Sequence, residues 1–285
     1  MDTQRRWDEL NPDCLLNVFG RLGMEELLYD VPFVCKSWHR ASHNPSCWQS
    51  LIFPDIDHNA VDEDENIKYD ASSADNESKP QSFGAFYDRF MHEYQIDSGR
   101  FSIGGIIKVV IKRGNGLATV LKLPQNSTEE VLTSVSDVCP GLKFLSLSCD
   151  YKFSILSKYS LAVLELITNC TNLETLSLES SCHRYGNQRF NHVALLVQIS
   201  IHCKNVVDLR VSNSQICKYG TRSITALLPK IKYLSFRKCD VDQKDLISLL
   251  LRCKELVLLD MRDCVGFKVD DEISKLASHI STFVY

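Results

Sequence analysis

The stretch that decides the fold is written five times over: LKFLSL at 142–147, LETLSL at 173–178, VVDLRV at 206–211, IKYLSF at 231–236 and LVLLDM at 256–261. Two weaker copies, IIKVVI at 106–111 and ISTFVY at 280–285, extend the series to starts at 106, 142, 173, 206, 231, 256 and 280, spaced by 36, 31, 33, 25, 25 and 24 residues. Residues two apart on a strand share a face, so Leu145 with Leu147, and Leu209 with Val211, are expected to point inward together. The third, fifth and next alternate positions then face the other way. Between the strands, apolar residues recur at helical spacing: Val131, Leu132 and Val135; Leu161, Leu164 and Ile167; Leu246, Leu249 and Leu250; Ile273, Leu276 and Ile280. Neither element can bury its apolar side alone, so the units must stack.

The cysteines keep the same register. Cys139, Cys170, Cys203 and Cys253 each stand three residues before a start, with Leu228 in that place for the copy at 231. Eight residues after the starts come Asp150, Ser181, Ser214, Cys239 and Cys264, small groups able to satisfy turn backbone. The 12 cysteines include no C-x-x-C pair, so they read as buried thiols and not as metal ligands. Periods of 24 to 36 residues around this core are the pattern of leucine-rich repeats.

Composition sets outer limits. A chain of 285 residues with 44% apolar and 24% charged side chains has room for one or two domains and a large core. A net charge of −4 argues against a dedicated nucleic-acid binder. No run approaches the ~18 apolar residues of a membrane span. The opening MDTQRRWDEL is not a secretory signal, so reduced thiols and a cytoplasmic or nuclear location are expected.

The first fifty residues are built differently and hold all three tryptophans, Trp7, Trp38 and Trp48. Asn11-Pro12-Asp13 is a helix start, with Leu15, Val18, Phe19 and Leu22 following at helical spacing. Val31-Pro32 opens another helix carrying Val34, Trp38 and Ala41, and Asn44-Pro45 ends it. This segment resembles the F-box in its L-x-P-like opening, V-F-x-x-L, V-C-K-x-W and final Trp48; together with the repeats it resembles a plant F-box/LRR protein. That resemblance implies an α/β chain: an F-box of short helices at 1–53, an acidic linker at 54–81, and a leucine-rich-repeat solenoid of six to seven repeats at 82–285. It further implies docking on a Skp-family adaptor, and through the adaptor on a cullin scaffold, by Leu10, Pro12, Leu15, Phe19, Leu22, Val34, Cys35, Lys36 and Trp38. Val18 and Leu28 are expected only to pack the F-box helices together. The implied function is substrate receptor of an SCF-type ubiquitin ligase, with a non-ligase interaction adaptor as the alternative.

Residues 55–79 hold nine acidic side chains against Lys68 and Lys79, a solvated stretch. Phe83, Phe86, Tyr87, Phe90, Met91 and Tyr94 then share one helical face, expected to cover the first repeat before an exit at Ser98-Gly99. Arg113-Gly114-Asn115-Gly116 reads as a turn and not as a phosphate cradle. The outward row of the repeats is expected to include Lys108, Phe144, Ser146, Asp208, Arg210, Tyr233, Arg237, Leu258, Asp260 and Arg262. Within it, Phe144, Asp208, Arg210, Tyr233, Arg237, Asp260 and Arg262 are the candidate contacts for an unidentified protein substrate. Arg210, Arg237 and Arg262 make either a basic patch for an acidic or phosphorylated segment or a merely solvated face. No G-x-S-x-G, P-loop or H-E-x-x-H motif is present, so no catalytic residue, cofactor or metal is expected.

Overall fold

The computed structural model describes residues 10–55, 84–125, 127–148, 158–179 and 193–285. The chain opens with three short helices, α1 (Pro12–Phe19), α2 (Met24–Tyr29) and α3 (Lys36–Ser42), followed by strand β1 (Ser50–Ile52). Helix α1 starts where the sequence signals it: Pro12 needs no hydrogen-bond partner there, and the Asn11 side chain accepts from the Asp13 N–H at 2.9 Å. Then come α4 (Ala85–Glu93), α5 (Ile103–Arg113), β2 (Val120–Lys122), α6 (Glu129–Val138), β3 (Phe144–Ser148), α7 (Lys158–Asn169), β4 (Thr175–Glu179) and α8 (Val193–His202). The rest comprises β5 (Asp208–Ser212), β6 (Gln215–Ile216), α9 (Lys218–Leu227), β7 (Tyr233–Arg237), β8 (Asp240–Val241), α10 (Gln243–Arg252), β9 (Leu258–Asp260), α11 (Asp271–Leu276) and β10 (Thr282–Val284).

Eight strands form one sheet in the order β1-β2-β3-β4-β5-β7-β9-β10, and every neighbouring pair is parallel. At the usual spacing of about 4.8 Å, seven steps make the sheet roughly 34 Å across. The two leucine positions of each copy run through it in register. Leu121, Leu145, Leu176, Leu209, Leu234 and Leu259 form one fully buried row, and Leu147, Leu178, Val211 and Phe236 a second. Against this inner face lie the buried sides of the helices, such as Val131, Leu132 and Val135 of α6 and Leu246, Leu249 and Leu250 of α10.

Each repeat cysteine sits at the end of its helix, where unpaired carbonyls collect. Cys139 and Cys253 cap α6 and α10, and the Cys203 thiol donates to the Ile167 and Cys170 carbonyls at 3.3 Å each. Burial pushes these thiols up, to about 11 for Cys139, Cys203 and Cys253 and about 12 for Cys170. At the turn ladder, the Cys239 thiol reaches the Val211 carbonyl at 3.6 Å and the Cys264 thiol reaches that of Phe236 at 2.9 Å, the same step back to the preceding strand. Asp150 and Ser181 lie outside the described residues.

Four expectations are corrected. Residues 106–111 are not a strand but the middle of α5: Ile106, Ile107, Val110 and Ile111 are one buried helical face, and the Ser102 side chain caps the helix by accepting from the Gly105 N–H at 3.3 Å. Lys108 therefore lies away from the sheet and pairs with Glu130 of α6 at 2.8 Å. The first strands are instead β1 and β2, so the sheet reaches back into the stretch expected to be a separate helical unit. In α7, Leu161 points outward, and Ala162, Val163, Leu166 and Ile167 are the buried side.

The fourth correction concerns the aromatic helix α4, which covers α2 of the N-terminal segment as well as the start of the sheet. Tyr29 packs edge-on against Phe86 at 5.5 Å and Phe90 at 6.3 Å. Its hydroxyl donates to the Phe86 carbonyl at 2.8 Å, while those of Tyr87 and Tyr94 donate to the Pro54 and Leu28 carbonyls. Arg89 stacks over Tyr29 and pairs with Asp30 at 2.6 Å. The helix ends at Glu93, before the expected exit at Ser98-Gly99. Phe83 and the acidic stretch beyond Asp55 lie outside the described residues.

Candidate docking surfaces

On the N-terminal helices, the expected adaptor contacts divide by burial. Leu15 and Phe19 are 2% and 1% exposed: they hold α1 on its neighbours and have no surface to offer, contrary to expectation. Leu10, Leu22, Cys35 and Trp38 are half-buried, Trp38 standing edge-on to Phe19 at 5.2 Å. Pro12, Val34 and Lys36 are exposed. Leu28 is buried as expected, but Val18, assigned to internal packing, is 55% exposed. Phe33, which the sequence reading passed over, is 59% exposed beside Val34 at 58%. It lies at the edge of a shallow hollow of about 760 Å³ that also includes Pro32, Cys35, Lys36, His39, Arg40 and His43. A signal for Phe33 was there: Val31-Pro32-Phe33 forms a single tight turn, and V-P-F-V cannot turn every side chain inward around it. Adjacent exposed large apolar side chains are less ordinary than single ones.

On the outward face of the sheet, parallel register aligns the candidate residues. Phe144, Thr175, Asp208, Tyr233 and Leu258 form one row, and Lys122, Ser146, Ser177, Arg210, Ser235 and Asp260 the next. Ser148, Glu179, Ser212 and Arg237 form a third. Phe144, Asp208, Arg210, Tyr233, Arg237, Asp260 and Arg262, the seven expected contacts, all line one groove of about 430 Å³.

The arginines in it are not bare charges. Arg210 pairs with Asp208 two residues earlier at 2.7 Å and lies over the Phe144 ring at 5.7 Å. Asp260 receives two guanidinium groups, Arg237 across the strand boundary and Arg262 on its own chain segment, each at 2.8 Å. These hydrogen bonds, Arg262's above all, hold the Asp260 carboxyl well below the usual carboxylate range although burial opposes them. At the other end, Lys122 bridges Asp55 at 3.2 Å and Glu179 at 3.5 Å. The expected basic patch is thus a lattice of paired charges, four cations against four carboxylates. Half of it was legible: Asp208 with Arg210, and Asp260 with Arg262, are two apart on one face. The Arg237–Asp260 pair needed the β7–β9 register. Among the described residues, no group of three or more His, Cys, Asp or Glu is placed to hold a metal ion, and no helix is long and apolar enough to cross a membrane.

Short helices followed by an α/β body with a parallel sheet define the class, and comparison with known proteins supplies the rest. Residues 7–50 match the F-box domain family. Over its length the chain is similar to Arabidopsis thaliana proteins: F-box protein FBW2, 25% identical over 272 residues, 95% of this chain and 72% of the relative. An F-box/LRR-repeat protein is 24% identical over 273 residues, 95% of this chain but only 51% of the relative. F-box protein SKIP1 is 22% identical over 294 aligned positions, 95% of this chain and 83% of the relative. The chain carries an F-box domain and, over nearly its whole length, is similar to plant F-box and F-box/LRR-repeat proteins.

Proposed function

We propose that this chain is the substrate receptor of an SCF-type ubiquitin ligase. The single observation that carries the reading is an F-box whose exposed apolar side chains, Val18, Phe33 and Val34, are joined through β1 to a sheet bearing a charged groove. On this reading the sheet and its helices are a leucine-rich-repeat solenoid. The F-box docks on a Skp-family adaptor through Val34, Lys36, Pro12 and the half-buried Leu10, Leu22, Cys35 and Trp38, with Val18 and Phe33 added. The adaptor connects it to a cullin, and the groove residues hold a target protein. The mechanism is positional: a target lysine gains high effective concentration near the charged conjugating enzyme, and no residue of this chain takes part in the chemistry. The work is expected in the cytoplasm or nucleus.

The test is capture of a recombinant Skp-family adaptor by the full chain and by Val34→Asp, an exposed position whose change spares the core. Capture by the parent and loss in the variant is the expected result; no capture by the parent refutes the reading. A captured target whose turnover is independent of cullin would favour the non-ligase adaptor instead.

A further inference from the structure

The receptor reading leaves the groove's occupant undefined, and the charge layout narrows it; the inference below rests on that reading. We infer that the groove takes a segment of a partner protein bearing an unmodified Asp or Glu, whose carboxylate bridges Arg237 and Arg262 while a nearby apolar side chain seats against Tyr233 and Leu258.

The two guanidinium groups are held in advance. Arg237 and Arg262 each give Asp260 their Nε–H at 2.9 Å and an Nη2 contact at 2.8 Å. A guanidinium has five N–H donors, so each keeps others for a ligand, and the two side chains are 52% and 51% exposed. Because Asp260 already fixes them, a second carboxylate binds without the entropy cost of ordering two long side chains.

Charge sets the kind of anion. Two arginines on one ionised Asp260 leave a single positive excess at that seat alone, whereas Arg210 with Asp208 cancels and Lys122, shared by Asp55 and Glu179, leaves one negative charge at the other end. Asp263, whose charge acts on Arg262, trims that excess further. A carboxylate matches it. A phosphate, at about −1.5 to −2, brings surplus charge against Asp260 and Glu179, both of which line the same groove.

The apolar half comes from register. Tyr233 pairs directly with Leu258 at the start of β7 and β9, and Arg237 lies four residues further along β7. At ~3.3 Å per residue that offset is about 13 Å, which an extended peptide spans in about four residues.

The experiment selects from a peptide library, each position sampling the common amino acids plus phosphoserine, on the immobilised full chain. Asp and Glu should be enriched together with an apolar residue, and replacing the selected acid by its amide should weaken binding roughly tenfold or more. Arg262→Gln should abolish the acidic enrichment. Asp260→Asn, which removes one negative charge from the seat, should shift enrichment towards phosphoserine and keeps the test decisive if the arginine variant folds poorly. Absent acidic enrichment, equal enrichment in Arg262→Gln, or phosphoserine preferred by the unaltered chain would each overturn the inference. So would enrichment appearing only when residues 57–77 are deleted, which would give the groove to the chain's own acidic stretch. Adaptor capture is measured separately: its failure with acidic selection intact refutes the receptor reading alone, and the converse refutes this inference alone.

Discussion

Replacing Phe33 by serine separates docking from folding. The side chain is 59% exposed. If a partner covers that part of the ring, roughly 120 of its ~200 Å² leave water, worth about 3 kcal/mol at ~25 cal/mol/Å². Full coverage therefore predicts a loss of adaptor affinity somewhat above ~100-fold, and half coverage about tenfold. The folded state should lose less than about 2 kcal/mol, the worth of the roughly 80 Å² that its own chain already covers. Calorimetric titration of the full chain with a Skp-family adaptor measures the first quantity, and a thermal melt of the free chain the second. Leu15→Ala is the opposite control: at 2% exposure it should cost about 2–5 kcal/mol of stability. Unchanged affinity in Phe33→Ser would refute the assignment of this face. A melting loss comparable to that of Leu15→Ala would show that Phe33 belongs to the core.

Tyr29→Phe removes the hydroxyl bonded to the Phe86 carbonyl while keeping the ring contacts, so denaturant unfolding should show a loss of about 1 kcal/mol. Alkylation of the native chain near pH 8, read by mass spectrometry, should label exposed Cys14 and spare Cys139, Cys170, Cys203 and Cys253, whose burial keeps them as thiols. Labelling of the buried four at the rate of Cys14 would contradict their placement. Stability should fall at both ends of the pH scale. Asp260 is lowered in the folded chain, so its contribution is present above about pH 4 and is lost as pH falls below that. The buried thiols are raised, so their contribution is complete below pH ~9 and is lost as pH rises towards 11. Chemical unfolding between pH 3 and 11 should show the plateau between, and Asp260→Asn should flatten its acid side.

The repeats were legible because two periodicities had to agree: residues two apart buried in strands, three to four apart in helices. Six of the seven starts, from 142 onward, lead into β3, β4, β5, β7, β9 and β10. The start at 106 failed because Ile106, Ile107, Val110 and Ile111 satisfy a helical face equally well, and the Ser102 cap decides. Strands β1 and β2 were missed because the first place of the pattern holds Trp48 and Ala118 instead of Leu, Ile or Val, although both are buried in register with Leu51 and Leu121. At the docking face, burial depends on which helix packs on which, so the pattern that named Leu15 and Phe19 could not tell core from surface. In the groove, residue types and alternation put the seven candidates on one face, but Glu179 and the neutralising pairs were overlooked.

Strand β1 has one further consequence. Because the last residues of the F-box segment are hydrogen-bonded into the same sheet as the groove, the two faces are connected by strand count and not by a tether. The sheet acts as a ruler: inserting one strand–helix unit between β2 and β3 would move the groove, which begins at Phe144 of β3, by about 4.8 Å along the sheet and leave both faces intact. Evolution could thus adjust where a bound protein is presented one division at a time, without altering what is bound.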